Sequence, residues 1–128
     1  MTLGRLAVVI AQYLSGRNQA NQADFRDAGN FVVVQNTDKM VFTGNKGIDK
    51  KYYRYSGYKG NVKEKNLNMM MEKDSTKVLW YAVRGMLPKN KLRARRLKRL
   101  KMFAETSTKY DYMKPKTIES DYLVKNSA

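Results

Sequence analysis

Residues 89–101 contain eight lysine and arginine side chains, and no aspartate or glutamate lies among them. Like charges three and four residues apart repel each other on a helix, so this segment is unstable as an isolated helix. Leu92, Leu97 and Leu100 give it an apolar side through which it can pack on a protein body. A merely soluble helix surface is the alternative, but such surfaces usually mix glutamates with the cations. The segment therefore predicts a helix that contacts a polyanion.

The positive charge of the whole chain is concentrated after residue 48. The chain of 128 residues has 26 basic and 11 acidic side chains and a net charge of +15. Residues 1–48 carry five basic and three acidic side chains, whereas residues 49–128 carry 21 basic and eight acidic ones. An excess of this size is tolerated most easily beside a polyanion. Nucleic acid is the first candidate partner, and an anionic membrane surface is the second.

Two residue types that many enzymes need are absent, because the chain has no histidine and no cysteine. Cys–His and Ser–His nucleophiles, imidazole acid–base catalysis and Cys/His zinc sites all require them. The carboxylates Asp24, Asp27, Asp38 and Asp49 show no paired spacing, so we expect them to cap turns or hold neighbouring cations. We therefore predict no catalytic residue, no metal site, no cofactor and no small-molecule substrate.

The hydropathy pattern predicts a soluble, intracellular protein. No apolar run approaches the roughly 20 residues of a membrane span. The apolar part of the first fourteen residues has no basic leader in front of it, so it does not resemble a secretory signal.

The apolar periodicity of the first third predicts one helix and one strand. Apolar residues recur along residues 3–14 at the spacing of one helix face, with Thr2 as a candidate cap and Gly16 as a candidate end. Residues 31–35 are β-branched or apolar at nearly every position, which is typical of a strand covered on both faces. Together they predict an α/β domain.

Further elements are expected in the second half. Residues 65–72 fit a short helix, and Ser75 is a candidate N-cap for a longer helix that stops near Pro88. Residues 102–104 fit a short return strand. A single domain is expected over residues 1–104, followed by a polar C-terminal tail over residues 105–128.

Residues 49–61 mix aromatic, cationic and glycine residues without an apolar period. Cations can pair with phosphates, tyrosine rings can stack on unpaired bases, and glycines allow a close backbone approach. We interpret the segment as an ordered loop that contacts structured RNA. The alternative is a hairpin whose tyrosines pack on the protein itself, with Tyr52 or Tyr53 as the core tyrosine.

Residues 85–90 form a junction between two predicted helices. Gly85 and Pro88 break one helix and start the next, while Met86 and Leu87 fill the core. The junction also directs the N-terminus of the basic helix, whose free N–H groups can receive a phosphate.

Several sequence strings occur in the order found in one known family. They are Thr-Leu-Gly-Arg-Leu-Ala at residues 2–7, Asp-Ala-Gly-Asn-Phe-Val-Val-Val at 27–34, Lys-Tyr-Tyr-Arg at 51–54, Ser-Gly-Tyr at 56–58 and Ala-Val-Arg-Gly-Met-Leu-Pro-Lys-Asn at 82–90. In this order they resemble the universal large-subunit ribosomal protein L-thirteen family, from Thr2 to about Phe103. The Gly-Met-Leu-Pro-Lys-Asn string with Ser-Gly-Tyr upstream is the specific part of the resemblance.

The resemblance implies a three-layer α/β/α fold around a small, largely parallel four-stranded sheet, with a basic helix and an extended C-terminal tail. It also implies a non-catalytic role: binding and clamping large-subunit ribosomal RNA during assembly, beside neighbouring large-subunit ribosomal proteins. The RNA contacts that it implies, together with those expected from the two basic segments, are Arg5, Lys50, Lys51, Arg54, Tyr55, Ser56, Gly57, Tyr58, Lys59, Arg84, Lys89, Asn90, Lys91, Arg93, Arg95, Arg96, Lys98 and Arg99.

The sequence departs from the family pattern in three places. Members usually have a further strand before the Thr-Leu-Gly-Arg motif, whereas Met1 precedes Thr2 here, so we expect that strand to be missing, supplied by a neighbour, or lost through a wrongly assigned start. The cysteine of the Asp-Cys-Gly-Asp turn is replaced by Ala28, and the usual His-Pro-His segment after Phe103 is absent. With the Asn-, Lys- and Tyr-rich usage, these changes favour a mitochondrial ribosome over a bacterial or plastid one.

Two other functions compete with this interpretation. A general DNA or RNA duplex-binding or compacting protein would use the basic helix over residues 89–101 without selecting ribosomal RNA. A carboxylate-dependent nuclease would need clustered acids, for which Asp27 and Asp38 are the candidates.

Overall fold

The computed structural model describes residues 1–21 and 23–118. Helix α1 spans Leu3–Ser15 and buries one apolar stripe, as its periodicity predicts. It ends at Gly16, which has φ 77° and ψ 17° and whose N–H donates to the carbonyls of Gln12 and Tyr13. A left-handed residue at this position favours glycine, so the predicted end of the helix is confirmed. Thr2 stands at the N-cap position in an extended conformation, but its side chain makes no capping bond.

Two short strands form a parallel pair under this helix. Strand β1 covers Val32–Val34, and strand β4 covers Leu100–Met102, with Val32 opposite Leu100. The predicted return strand therefore exists, two residues earlier than expected. A further parallel bridge joins Thr2 to Val41.

Strands β2 and β3 form an antiparallel hairpin, which was the alternative to the preferred interpretation of residues 49–61 as a loop. β2 covers Lys51–Tyr55 and β3 covers Val62–Asn66, and the pairing runs from Lys51 opposite Asn66 to Tyr55 opposite Val62. The segment was predicted to be a loop because strands are recognised by one apolar face, and almost all of this hairpin is exposed. Parallel and antiparallel strands combined with helices confirm the predicted α/β class.

Three further helices follow α1. Helix α2 is a single turn over Lys46–Asp49, α3 spans Leu67–Met86, and α4 spans Leu92–Lys98. The basic helix is thus shorter than the predicted residues 89–101. The core lies mainly between α1 and α3, and its members are Leu3, Ala7, Ile10, Ala11, Leu14, Val32, Leu67, Val78, Leu79, Val83, Leu87 and Leu100.

Helix α3 is interrupted at Asp74, which has φ −166° and ψ 98°. This break corresponds to the predicted boundary between two helices, but Asp74 caps the second helix instead of Ser75. The Asp74 carboxylate accepts bonds from the Thr76 N–H at 3.1 Å and the Thr76 hydroxyl at 2.5 Å. The Ser75 hydroxyl contacts the Thr37 hydroxyl at 2.7 Å and donates to the Asp38 carboxylate. Ser75 and its partners therefore tie the kink to the turn over Thr37–Lys39.

We expect Asp74→Ala to lower the free energy of unfolding by about 0.5–2 kcal/mol, because the second half of α3 loses its capping carboxylate. The hydrogen bond from Thr76 holds the pKa of Asp74 below its usual value. A carboxyl with a lowered folded-state pKa stabilises above its unfolded pKa, and this contribution disappears as the pH falls through the folded value. Urea denaturation at neutral and acidic pH measures both effects. Glu72→Ala, an exposed acid on the same helix, is the control and should change stability by less than about 0.5 kcal/mol.

The first part of the predicted tail contacts the body of the protein. The Asn36 N–H donates to the Glu105 carbonyl at 3.5 Å, the Thr106 hydroxyl donates to the Asn36 side chain at 3.1 Å, and the Phe103 and Tyr110 rings lie 5.9 Å apart. A boundary at residue 104 would cut through these contacts. Residues 119–128 lie outside the described part of the chain. Within residues 1–21 and 23–118, no helix has the length and apolar character needed to cross a bilayer.

Candidate nucleic-acid interface

The β2–β3 hairpin has two chemically different faces. Side chains alternate along a strand, so Arg54, Lys63 and Lys65 share one face with Tyr52. All three cations are exposed and no acid accompanies them on that face. This face can therefore neutralise a row of phosphates. Lys63 and Lys65 were missed in the sequence interpretation because their strand was not recognised.

Tyr52 anchors this face to the body. Its ring lies 5.7 Å from that of Tyr81 on α3, and the Lys50 ammonium lies 5.7 Å from the centre of the Tyr52 ring. Burial raises the pKa of the Tyr52 hydroxyl, which stays protonated at neutral pH. Of the two tyrosines considered for the core, Tyr52 is the one that packs, since Tyr53 is 66% exposed.

The opposite face of the hairpin is aromatic, and the charges on it are paired. It carries Tyr53, Tyr55 and Val62, together with Lys51 and Glu64. The Lys51 ammonium lies 2.7 Å from the Glu64 carboxylate, which raises the pKa of Lys51. Lys51, which was expected to contact phosphate, thus forms an exposed ion pair within the hairpin, and its contact with RNA stays a prediction.

The hairpin turn presents its residues to solvent. Gly57 and Gly60 have φ values of 92° and 78°, which a residue with a side chain adopts only under strain. The Ser56 hydroxyl donates to the Asn61 carbonyl at 3.3 Å and holds the turn. Tyr58 is 74% exposed, and Lys59 is exposed beside it. Both side chains are available to a partner.

Helix α4 and the segment before it expose Lys89, Lys91, Arg95 and Lys98, while Arg93 is partly covered. The Asn90 side chain accepts a bond from the Leu92 N–H at 3.1 Å and thereby fixes the start of the helix. No acid interrupts the four exposed cations along residues 89–98. They form the second cationic surface.

Two arginines of this region point inward, contrary to the expectation that they face RNA. Arg96 is 2% exposed, and its guanidinium donates to the Arg26 carbonyl at 3.5 Å. Arg99 donates to the Leu14 carbonyl at 3.0 Å and pairs with Asp27 at 2.7 Å. Both guanidinium groups thus make their hydrogen bonds within the protein. We therefore remove Arg96 and Arg99 from the candidate interface.

The Asp27–Arg99 pair connects the loop before β1 to the end of α4. The hydrogen bond from Arg99 holds the pKa of Asp27 below its usual value. Gly29 makes the close approach possible, because a Cβ there would lie 1.7 Å from the Leu14 carbonyl oxygen and 2.6 Å from the Arg99 guanidinium. The glycine of the Asp-Ala-Gly-Asn turn is therefore required by packing.

Arg5 and Arg84 are exposed on neighbouring helix ends. Residues Gly4 and Gly85, which adjoin them, line one cavity between α1 and α3, and Lys50 reaches the same cavity. The Arg84 guanidinium lies 5.4 Å from the centre of the Trp80 ring, which restrains it. The structure thus brings the residues next to Arg5 and Arg84 to the same cavity as Lys50 at the hairpin base, and it places α4 against the opposite end of α1, near Leu14.

The described residues contain no group of three or more aspartate or glutamate side chains that could hold a metal ion. The two carboxylates considered for a nuclease have structural partners, since Asp27 pairs with Arg99 and Asp38 accepts from Ser75. The arrangement is suited to binding polyanions through fixed cations.

These features define the class of the protein as a small, basic α/β protein with two cationic surfaces. A sequence model of the family "Ribosomal protein L13" matches residues 1–109. The chain is also 46% identical to large ribosomal subunit protein uL13 of Syntrophus aciditrophicus, over 91% of this chain and 82% of that protein. It is 44% identical to the uL13 of Pelobacter propionicus and 43% identical to that of Thermotoga maritima, over 92% and 91% of this chain and 83% and 78% of those proteins.

The chain belongs to the ribosomal protein L13 family, whose members are structural proteins and not enzymes. The resemblance stated from the sequence motifs is confirmed. The relatives named above are bacterial, so they give no support to the expected mitochondrial location.

Proposed function

We propose that the protein is a structural constituent of the large ribosomal subunit that binds large-subunit ribosomal RNA and clamps it during assembly. The observation that carries the proposal is the acid-free hairpin face formed by Arg54, Lys63 and Lys65, held against α3 by Tyr52. Three exposed cations on one face of a strand pair can contact a phosphate backbone without any need for catalysis. Membership of the L13 family supports the choice of ribosomal RNA as the polyanion.

The clamp has two jaws in this proposal. The hairpin face, with Lys50, Lys59, Arg5 and Arg84 nearby, forms the first jaw, and the exposed cations before and on α4 form the second. Tyr55 and Tyr58 supply exposed rings on which unpaired bases can stack. Ser56 and Gly57 shape the turn that carries them, and Asn90 fixes the start of α4. Neighbouring large-subunit proteins are the proposed protein partners. A mitochondrial location stays a prediction.

The proposal is tested by competition binding. Labelled large-subunit ribosomal RNA, transcribed in vitro, is bound at physiological salt and challenged with unlabelled RNA or with random duplex DNA. We expect the ribosomal RNA to compete far better than the DNA. Equal competition would instead support a general duplex-binding or compacting protein.

Changing Arg54 should reveal which hairpin face contacts phosphates. For Arg54→Gln we expect the slope of log K against log salt to become shallower by about 0.7–0.9, the loss of one phosphate contact. The matched control is the double variant Lys51→Gln with Glu64→Gln, which removes one charge pair and leaves the net charge unchanged. Its slope should equal that of the wild type. A shallower slope in the control would show that Lys51 does contact phosphate.

A further inference from the structure

A cavity lies between the first turn of α1 and the last turns of α3. It has a volume of about 450 Å³, within the range of about 300–1,000 Å³ typical of small-ligand sites. Leu3, Phe42, Ala82 and Met86 give it apolar walls, and Tyr81 adds an aromatic ring. The sequence interpretation did not predict this cavity, because its walls come from distant segments.

Two helical glycines line the cavity, and the fold itself does not explain them. Gly4 and Gly85 have no positive φ, and a Cβ on either would meet nothing within 4 Å. Glycine inside a helix is less favourable than alanine by up to about 1 kcal/mol. Elsewhere the fold does require its glycines, as at Gly29, where a Cβ would collide with the backbone. The missing side chains of Gly4 and Gly85 leave room for a ligand.

The charged groups at the cavity are all cationic. Lys46 and Lys50 line it, and no acidic side chain does. The Lys46 ammonium donates to the Thr43 hydroxyl at 3.2 Å, which positions it at the rim. Tyr81 is 44% exposed, and its ring is held between Trp80 at 5.3 Å and Tyr52 at 5.7 Å. A ligand that fits has a flat, partly apolar body and a negative charge.

We propose that this cavity receives one unpaired nucleotide of the bound RNA, with its base against Tyr81 and the apolar walls and its phosphate near Lys46 and Lys50. The proposal rests on the proposed RNA-binding function. It adds a site where a single unstacked nucleotide is bound. Lys50, at the base of the hairpin, lines the cavity, so an RNA strand on the first jaw can reach it.

The experiment fills the cavity without disturbing the core. In Gly85→Leu and in Gly4→Leu the new side chain enters the open space of the cavity. Each should weaken binding to in vitro transcribed large-subunit ribosomal RNA by about 5- to 150-fold, the effect of losing one stacked base. Thermal melting of every variant checks for a folding defect. Gly85→Ala, which replaces a helical glycine by a better helix former, should melt at the same temperature as the wild type or higher. Gln12→Leu places a leucine at an exposed position of α1 outside this cavity and should bind as the wild type.

Chemical probing of the RNA 2′-hydroxyls, nucleotide by nucleotide, separates the possible outcomes. We expect the same one or two unpaired nucleotides to lose protection in Gly85→Leu and Gly4→Leu while all other protections persist. If both cavity variants showed the same protections as the wild-type protein, the nucleotide site would be wrong and the proposed function would still hold. Absence of specific protection by the wild-type protein would overturn both. Binding of free nucleoside monophosphates with the same Gly85 dependence would overturn the proposal by identifying a free-nucleotide site.

Discussion

Arg99→Met is expected to destabilise the folded protein by about 1–3 kcal/mol, because it removes the hydrogen bonds that Arg99 donates to the Asp27 carboxylate and the Leu14 carbonyl. The side chains of Arg99 and Asp27 are 13% and 25% exposed, so solvent screens part of their attraction. Methionine keeps the apolar stem of the arginine but not its hydrogen bonds to Asp27 and to the Leu14 carbonyl. Urea denaturation followed by circular dichroism measures the loss.

The pH dependence of stability provides a second test of the same pair. Arg99 lowers the pKa of Asp27 in the folded state. The pair therefore stabilises fully above the unfolded pKa of about 3.9, and its contribution is lost as the pH falls through the lower folded value. Arg99→Met should show less of this acid-dependent loss than the wild type. An unchanged acid profile would contradict the assigned pairing.

The control for Arg99→Met is Lys98→Met on the neighbouring position. Lys98 is exposed and has no ion-pair partner among the described residues. Its replacement should change the free energy of unfolding by less than about 0.5 kcal/mol. If both variants unfolded equally easily, the division of α4 into an inward and an outward side would be wrong.

The elements with one buried face were predictable from sequence. Helix α1 and strand β1 bury regular apolar patterns, and the break at Asp74 lies one residue from the expected boundary. The hairpin was not predictable in the same way. β2 and β3 are held by the backbone hydrogen bonds between them, and on one face Tyr52 packs against Tyr81 of α3. The two strands therefore show no alternation of apolar and polar residues by which they could be recognised.

The candidate interface was predictable as a charge map but not as a list of contacts. Arg96 and Arg99 are basic like their neighbours Arg95 and Lys98. They differ from them in the side of the helix on which they lie, which is inward for Arg96 and Arg99 and outward for the other two. A signal for that direction exists, since positions 96 and 99 follow Leu92 at i+4 and i+7 and so share its apolar side. An arginine stem can lie in such a stripe while its guanidinium finds a carbonyl or carboxylate. The partners Asp27 and Leu14 are too distant in sequence to be found by periodicity.

The remaining cations of α4 make the strongest prediction about RNA binding. Replacing Lys89, Lys91, Arg95 and Lys98 together by glutamine should make the slope of log K against log salt shallower by about 3–4, at ~0.9 per lost phosphate contact on duplex RNA of the ribosomal RNA. The fold should persist, because all four side chains are exposed. Circular dichroism and thermal melting establish that it does.

The matched control removes charge from a different part of the chain. Lys39, Lys73, Lys77 and Lys109 are also exposed and lie outside both proposed jaws, so their replacement by glutamine changes the net charge by the same amount. If the binding energy came from overall charge, both quadruple variants would shift the slope equally. A fixed second jaw requires a shift of several units for the α4 variant and less than about one for the control. The difference between the two slopes therefore measures how much of the +15 charge acts through α4 and the segment before it.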